Sequence, residues 1–447
     1  MKLWEKGVNP EESVIRFTSG SDRKTDLLIA KWDIAASMAH AIMLESAGLI
    51  STAERNDLLE ALKSLFEKEK SGNLFIEEGV EDIHSQIEKE LTEKIGPAGK
   101  KIHTGRSRND QVLTDIRLWT RNAIDDLAFK TGNLFNKLLL LSEKYKDVFL
   151  PGYTHMQPAM PSSFGLWFGS WAESLSDDLC GLSSARQLID RNPLGTAAGY
   201  GSTLPLDRRF TTSLLEFGDL LYNSAYASIS RGKSELAVAS SLAMIAQTLN
   251  RMSADICLFM TAEFRFIDFP DELVTGSSIM PQKRNPDVFE LVRGRTNLIQ
   301  TLPGQVVVLT SNLPSGYNRE LQLLKDLVFN AFSDLGESIE MMILMLDNII
   351  VKNDISDNPL YNSVYSTEEV NRLVREGVPF RDAYREVAKM VGNQSFRKTS
   401  VNEYTHEGSI GNLCNKKIRK GFEERIKSFK SKSAEELINS LVKYTGL

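Results

Sequence analysis

At 447 residues and 42% hydrophobic content, the chain is long enough to bury a large core and to hold more than one folding unit. A formal net charge of -6 provides no basic excess for a nucleic-acid partner. No uninterrupted apolar run approaches the roughly 20 residues that cross a bilayer, and Met1-Lys2-Leu3-Trp4-Glu5-Lys6 lacks an apolar signal core, so a cytosolic protein is expected.

Helical signals dominate from the N-terminus on. From Ser107 to Leu150 the only helix breaker is Gly132, and from Lys233 to Phe269 there is none. A helix of about 40 residues is about 60 Å long at 1.5 Å per residue, which predicts an elongated bundle. Leu236, Ala239, Leu242, Ile245, Leu249, Met252 and Ile256 recur at three- and four-residue steps and lay one apolar stripe along the second segment. The Gly-rich connection from Asn192 to Leu206 is too long to be a plain turn and argues against a lone coiled coil.

A third helical region runs from Pro286 toward Asn348, with breaks at Pro303-Gly304 and at Pro314-Ser315-Gly316 expected to kink or interrupt it. Gly377 to Arg381 reads as a tight connection between helices of a smaller C-terminal unit. The expected division is 1–106, a central 107–350 and a terminal 351–447. Cys180, Cys257 and Cys414 are odd in number and widely spaced, so they suggest neither disulfides nor a zinc site and are expected to be buried thiols.

Thr275-Gly276-Ser277-Ser278-Ile279-Met280-Pro281-Gln282-Lys283-Arg284-Asn285-Pro286 concentrates serines, cations and amides in a form that neither a core helix nor a core strand needs. Gly276 lets the backbone swing or approach a ligand. Small polar residues leave N–H groups free for an anion. Arg106, Arg108, Lys283 and Arg284 cluster in the two richest polar segments, which suits an anionic small molecule.

That loop resembles the signature loop of the fumarase/aspartase superfamily, and within it most closely the argininosuccinate-cleaving lyases. His103-Thr104-Gly105-Arg106-Ser107-Arg108-Asn109-Asp110-Gln111 and Pro151-Gly152-Tyr153-Thr154-His155-Met156-Gln157-Pro158 match blocks of the same branch, as does Tyr317-Asn318-Arg319-Glu320-Leu321-Gln322 with Lys325. The likeness runs to about residue 390, and the tail from about Asn393 is its weakest part. It implies an all-α, elongated long-helix fold and a homotetramer with shared active sites. It also implies elimination of a guanidino group from a succinyl carbon, giving fumarate and arginine without metal or organic cofactor, in arginine biosynthesis.

The chemistry implied is demanding, because a carbon acid beside a carboxylate must lose its proton and spread the charge into an aci-carboxylate. Aimed donors should supply the largest stabilisation. By resemblance Ser277 is the base, Lys283 and Asn285 with the loop N–H groups hold the developing charge, and His155 protonates the leaving guanidine. Ser107, Arg108, Asn109 and Thr154 fall at the succinyl end, where arginine offers a planar fork for a carboxylate. Tyr317, Gln322 and Lys325 fall at the arginine end, with Lys325 on the distal carboxylate. Two places depart from the pattern. Ile229-Ser230-Arg231-Gly232 keeps the arginine of a usual Ser-Asp-Arg-Asp block but loses both acids, and Asp22 stands four before Asp26 where a serine is usual, with Ser21 one position off. A superfamily lyase acting on another N-substituted aspartate, or a non-enzymatic protein on the same fold, remain the alternatives.

Overall fold

The computed structural model describes residues 12–20, 22–391 and 396–446. Five helices make the long bundle: Arg108–Lys144, Phe164–Ile189, Lys233–Phe259, Asp287–Thr310 and Leu324–Asp347. The first has 37 residues, about 55 Å at 1.5 Å per residue. Lys233–Phe259 packs along both Asp287–Thr310 and Phe164–Ile189. The predicted stripe explains why, since Ala239, Leu242, Ile245, Leu249, Met252 and Ile256 are all at most 1% exposed. The fold is thus the expected helical one, with only three two-stranded sheets added among the described residues.

One of those sheets presents His155. Phe149–Thr154 pairs antiparallel with Gln157–Ser163, so His155 and Met156 form a two-residue tip between Thr154 and Gln157. Both have positive φ, 51° and 61°, as a primed hairpin turn requires and as non-glycine residues rarely adopt.

Two expectations are corrected. Asp287–Thr310 runs unbroken through Pro303, because a single proline costs one backbone bond and its ring can be tolerated at a half-exposed position flanked by exposed Gly304; the break falls only at residues 311–323. The thiols are not buried: Cys180 is exposed and Cys257 and Cys414 are half-buried, since Cys180 lies off the face that carries Leu175, Leu179 and Leu182 into the core. The helix Asp22–Ser46 has the length and composition to cross a membrane, yet 83% of its most apolar window is buried inside the fold, as for a core helix.

One continuous apolar core reaches from Ile29 to Val442, and a smaller one joins Ser366–Arg375 to Phe380–Met390. Asn415–Ile426 packs on Phe164–Ile189, and the last helix, Ala434–Thr445, returns to Asp22–Ser46. Arg108–Lys144 begins at a capping box in which Ser107 N–H donates to Asp110 Oδ1 at 2.8 Å. Asp110 Oδ2 accepts the N–H groups of Gly195 and Ala197, each at 2.9 Å, which ties the Gly-rich connection to this helix start. Gly195 has φ +85°, and a Cβ there would meet Arg208 at 2.8 Å.

Below the helix start lies a buried polar network. Asp33 accepts from His84 Nδ1 at 2.9 Å and Gln111 Nε2 at 2.7 Å, and Arg106 reaches Ser37, which bonds Asp33 in turn. Burial alone would raise the Asp33 carboxyl, but His84, Arg106 and Gln111 outweigh it and hold it at about 2. Asp115 faces the same His84 at 3.5 Å, and burial beside Asp33 pushes its carboxyl well above the ordinary range. Asp33→Asn should destabilise the fold by about 3 kcal/mol at neutral pH, read from the denaturant midpoint, because a buried pair loses one partner. A lowered carboxyl contributes stability above its unfolded pKa and loses it as acid protonates it, so the gap between wild type and variant should close as pH falls from about 4 to about 2. A gap that is flat over that range would refute the assignment.

Candidate active site

A cleft of about 370 Å³ opens beside this network, lined by Asp22, Asp26, Glu81, Asp82, His84, His103, Arg108, Asn109, Val112, Arg231, Tyr317, Arg319, Gln322 and Lys325. It gathers segments that are distant in sequence: the start of Asp22–Ser46, the start of Ile83–Ile95, the start of Arg108–Lys144, and the break before Leu324–Asp347. Of the residues expected in the site, Arg108, Asn109, Tyr317, Gln322 and Lys325 line it. Ser107 lies one residue away as the helix cap, its Oγ accepting Asn109 N–H at 3.3 Å.

The cleft is heavily charged, and most of its charges are already paired. Arg108 donates to Ser85 at 2.9 Å and lies 3.3 Å from Asp82. Gln322 and Arg319 both donate to the Thr18 carbonyl, at 3.1 and 3.0 Å, which draws Glu12–Ser19 toward the cleft. Lys325 sits between two carboxylates, 2.7 Å from Asp22 and bonded also to Asp26. Its ammonium, expected to meet a substrate carboxylate, therefore already has two within the chain. His103 is held down at about 4 by burial, with Arg106 and Arg108 adding to the effect.

Arg231 keeps a carboxylate partner despite its unusual surroundings. Glu235, one turn on, accepts from Arg231 Nε at 2.7 Å and also takes Gly232 N–H at 2.8 Å. The carboxylate that meets Arg231 in this chain thus lies at a helical spacing of four. Asp22, the other departure, is a lining residue; Ser21 lies outside the described residues.

Thr154, His155, Ser277, Lys283 and Asn285 do not line this cleft. Thr154 and His155 are exposed at the hairpin tip, whose base is held by the Tyr153–Tyr361 hydroxyl contact at 3.2 Å. The serine loop is closed at its own base, where Asn285 N–H donates to Thr275 O at 2.8 Å and the Asn285 amide reaches Gly276 O at 3.2 Å. Inside it Ser277 Oγ accepts the N–H groups of Ile279 and Met280, at 3.3 and 3.2 Å. Arg284 is bound to Asp268 and Asp271, whereas Lys283 is exposed and makes no ion pair among the described residues. Arg319 and Asp82 were not singled out from sequence, and Asp26 was named only as the landmark four residues after Asp22.

Known proteins share both the sequence and the fold. The profile of a lyase family matches residues 14–300. Argininosuccinate lyase of Phocaeicola vulgatus is 49% identical over 441 residues, 99% of each chain. The tail expected to be least family-like therefore falls within the match. An EDDS lyase variant solved with bound fumarate has the same fold, with TM-score 0.77 and 18% identity over 98% of this chain and 95% of its own. Class II fumarase of Schistosoma mansoni is similar at TM-score 0.69 and 18% identity, over 90% of each chain.

Proposed function

The chain belongs to the lyase family and, within it, to the argininosuccinate lyases, and on that premise we propose that it splits L-argininosuccinate reversibly into L-arginine and fumarate. The observation that carries this reading is the 49% identity that extends over 99% of both chains. In the proposed reaction Ser277 removes a proton from the succinyl carbon. Two N–H groups already aimed at its oxygen favour the alkoxide, and Lys283 of the same loop, which has no ion pair among the described residues, supplies a positive charge. Lys283, Asn285 and the loop N–H groups then hold the aci-carboxylate, while His155 gives the leaving guanidine its proton. Ser107, Arg108, Asn109 and Thr154 hold the succinyl half. Tyr317, Gln322 and Lys325 hold the arginine half.

The same reading includes a homotetramer with shared sites, in which 107–350 forms the associating bundle and 1–106 and 351–447 its smaller ends. Two features support it. The cleft lacks Ser277, Lys283, Thr154 and His155 from its lining, and Leu291, Leu298 and Val308 on the helix Asp287–Thr310 are 65%, 72% and 76% exposed, more apolar surface than one bundle helix normally leaves bare. Purified protein should release fumarate from argininosuccinate, followed by ultraviolet absorbance. If no fumarate forms at any enzyme concentration, the reading is wrong.

A further inference from the structure

Two carboxylates against one ammonium make one end of the cleft unusual. Asp26 and Lys325 are 2% and 4% exposed at their side chains, while Asp22 is 19% exposed, so only Asp22 presents itself to an incoming ligand. Its Oδ1 lies 2.7 Å from Lys325 Nζ, and no other side-chain partner of Asp22 exists among the described residues. The trio carries one negative charge in excess. A ligand carboxylate would meet Lys325 only alongside two carboxylates, which disfavours it; a ligand ammonium would complete a two-by-two arrangement of charge.

We propose that Asp22 is a specificity residue, binding the α-ammonium group of the substrate's amino-acid half. The inference rests on the proposed reaction for the identity of the substrate, and on the geometry alone for the preference for a cation. The wider lining agrees, since Asp22, Asp26, Glu81 and Asp82 balance Arg108, Arg231, Arg319 and Lys325, as suits a zwitterionic group better than a bare carboxylate. Burial pushes the Asp22 carboxyl up to about 6; Lys325 pulls it down, and Asp26 and Asp326 push it up again. The other titratable or charged groups that line the cleft are Tyr317 and Arg319 on the segment before Leu324–Asp347, Arg231, and, across the cleft, Glu81, Asp82, His84, His103 and Arg108. An ammonium arriving there binds the ionised form, so affinity for it falls as pH drops through about 6.

Two arginine analogues separate the ammonium from the carboxylate: agmatine keeps the amine and lacks the carboxylate, and 5-guanidinopentanoate does the reverse. Calorimetric titration of both into wild type, Asp22→Asn and Asp22→Ser tests the proposal, with thermal unfolding of each variant as the check on folding. Agmatine should bind the variants roughly tenfold or more weakly, the size of a lost charge-assisted contact, while 5-guanidinopentanoate binds as well as before or better. Agmatine affinity in wild type should also fall below about pH 6, and that step should vanish in the variants. Equal losses for the two analogues, an agmatine affinity independent of pH, or no agmatine binding to wild type would overturn the proposal. Fumarate release by wild type is scored separately. If it is absent while the ammonium-selective loss persists, the reaction is misassigned and Asp22 still reads a cation; if it is present without selective loss, only the role of Asp22 falls.

Discussion

Ser277→Ala is expected to lower turnover by about a thousandfold or more while leaving the fold and the binding of succinate nearly unchanged, the signature of an interaction made only in the transition state. The loop itself prepares this oxygen. Ser277 Oγ accepts two backbone N–H groups within its own loop, and Lys283 stands six residues on with no carboxylate to neutralise it among the described residues. Serine is a poor base in water. Donors fixed in advance and a free ammonium are the means by which a protein lowers that barrier. Alanine removes the oxygen and disturbs little else, because the loop base is closed by Thr275 and Asn285 rather than by Ser277. A variant that retains more than about a tenth of wild-type turnover in the fumarate assay would place the base elsewhere.

The second large effect concerns the assembly. Inactive His155→Asn and Ser277→Ala proteins, unfolded and refolded together, should regain activity, up to about a quarter of wild type in an equal mixture if each site draws the two residues from different chains. Each variant refolded alone should stay inactive. Within a single chain the cleft holds side chains of both expected binding ends but neither the serine loop nor the hairpin tip, and the proposed reading has a second chain supply them. If mixed tetramers form and no activity returns, or if sedimentation finds a fully active monomer, the shared site is refuted.

Much of this architecture was legible in the sequence. The stripe from Leu236 to Ile256 announced a buried helix face because period and composition agreed over several turns, and the structure buries all of those side chains except Leu236, which is half-buried. The interruption expected at Pro303 did not follow, since sequence shows the missing donor but not the half-exposed position at which the helix continues. Cys180 misled for a related reason: composition favours burial of thiols, while the face of Phe164–Ile189 that turns inward decides the outcome. In the cleft, Arg108, Asn109, Tyr317, Gln322 and Lys325 could be named from their segments. The pairing of Lys325 with Asp22 and Asp26 could not, because it joins positions 299 residues and more apart. No local pattern encodes such a contact. Arg231 with Glu235 is the opposite case, a helical spacing that was available to be read.

The tip of the hairpin shows how selection can act against the local preferences of a chain. Asn-Gly would form the turn at His155-Met156 with less conformational cost, since two ordinary L-residues must hold φ at 51° and 61° there. Sequence optimisation aimed only at thermal tolerance would therefore rewrite this tip early, and a library ranked by melting temperature would enrich glycine at 156. Ranking the same library by catalysis would push the other way if the imidazole at 155 has to be presented from that backbone. The divergence between the two rankings at a single dipeptide would measure how much folding free energy this protein gives up to keep a side chain where it is.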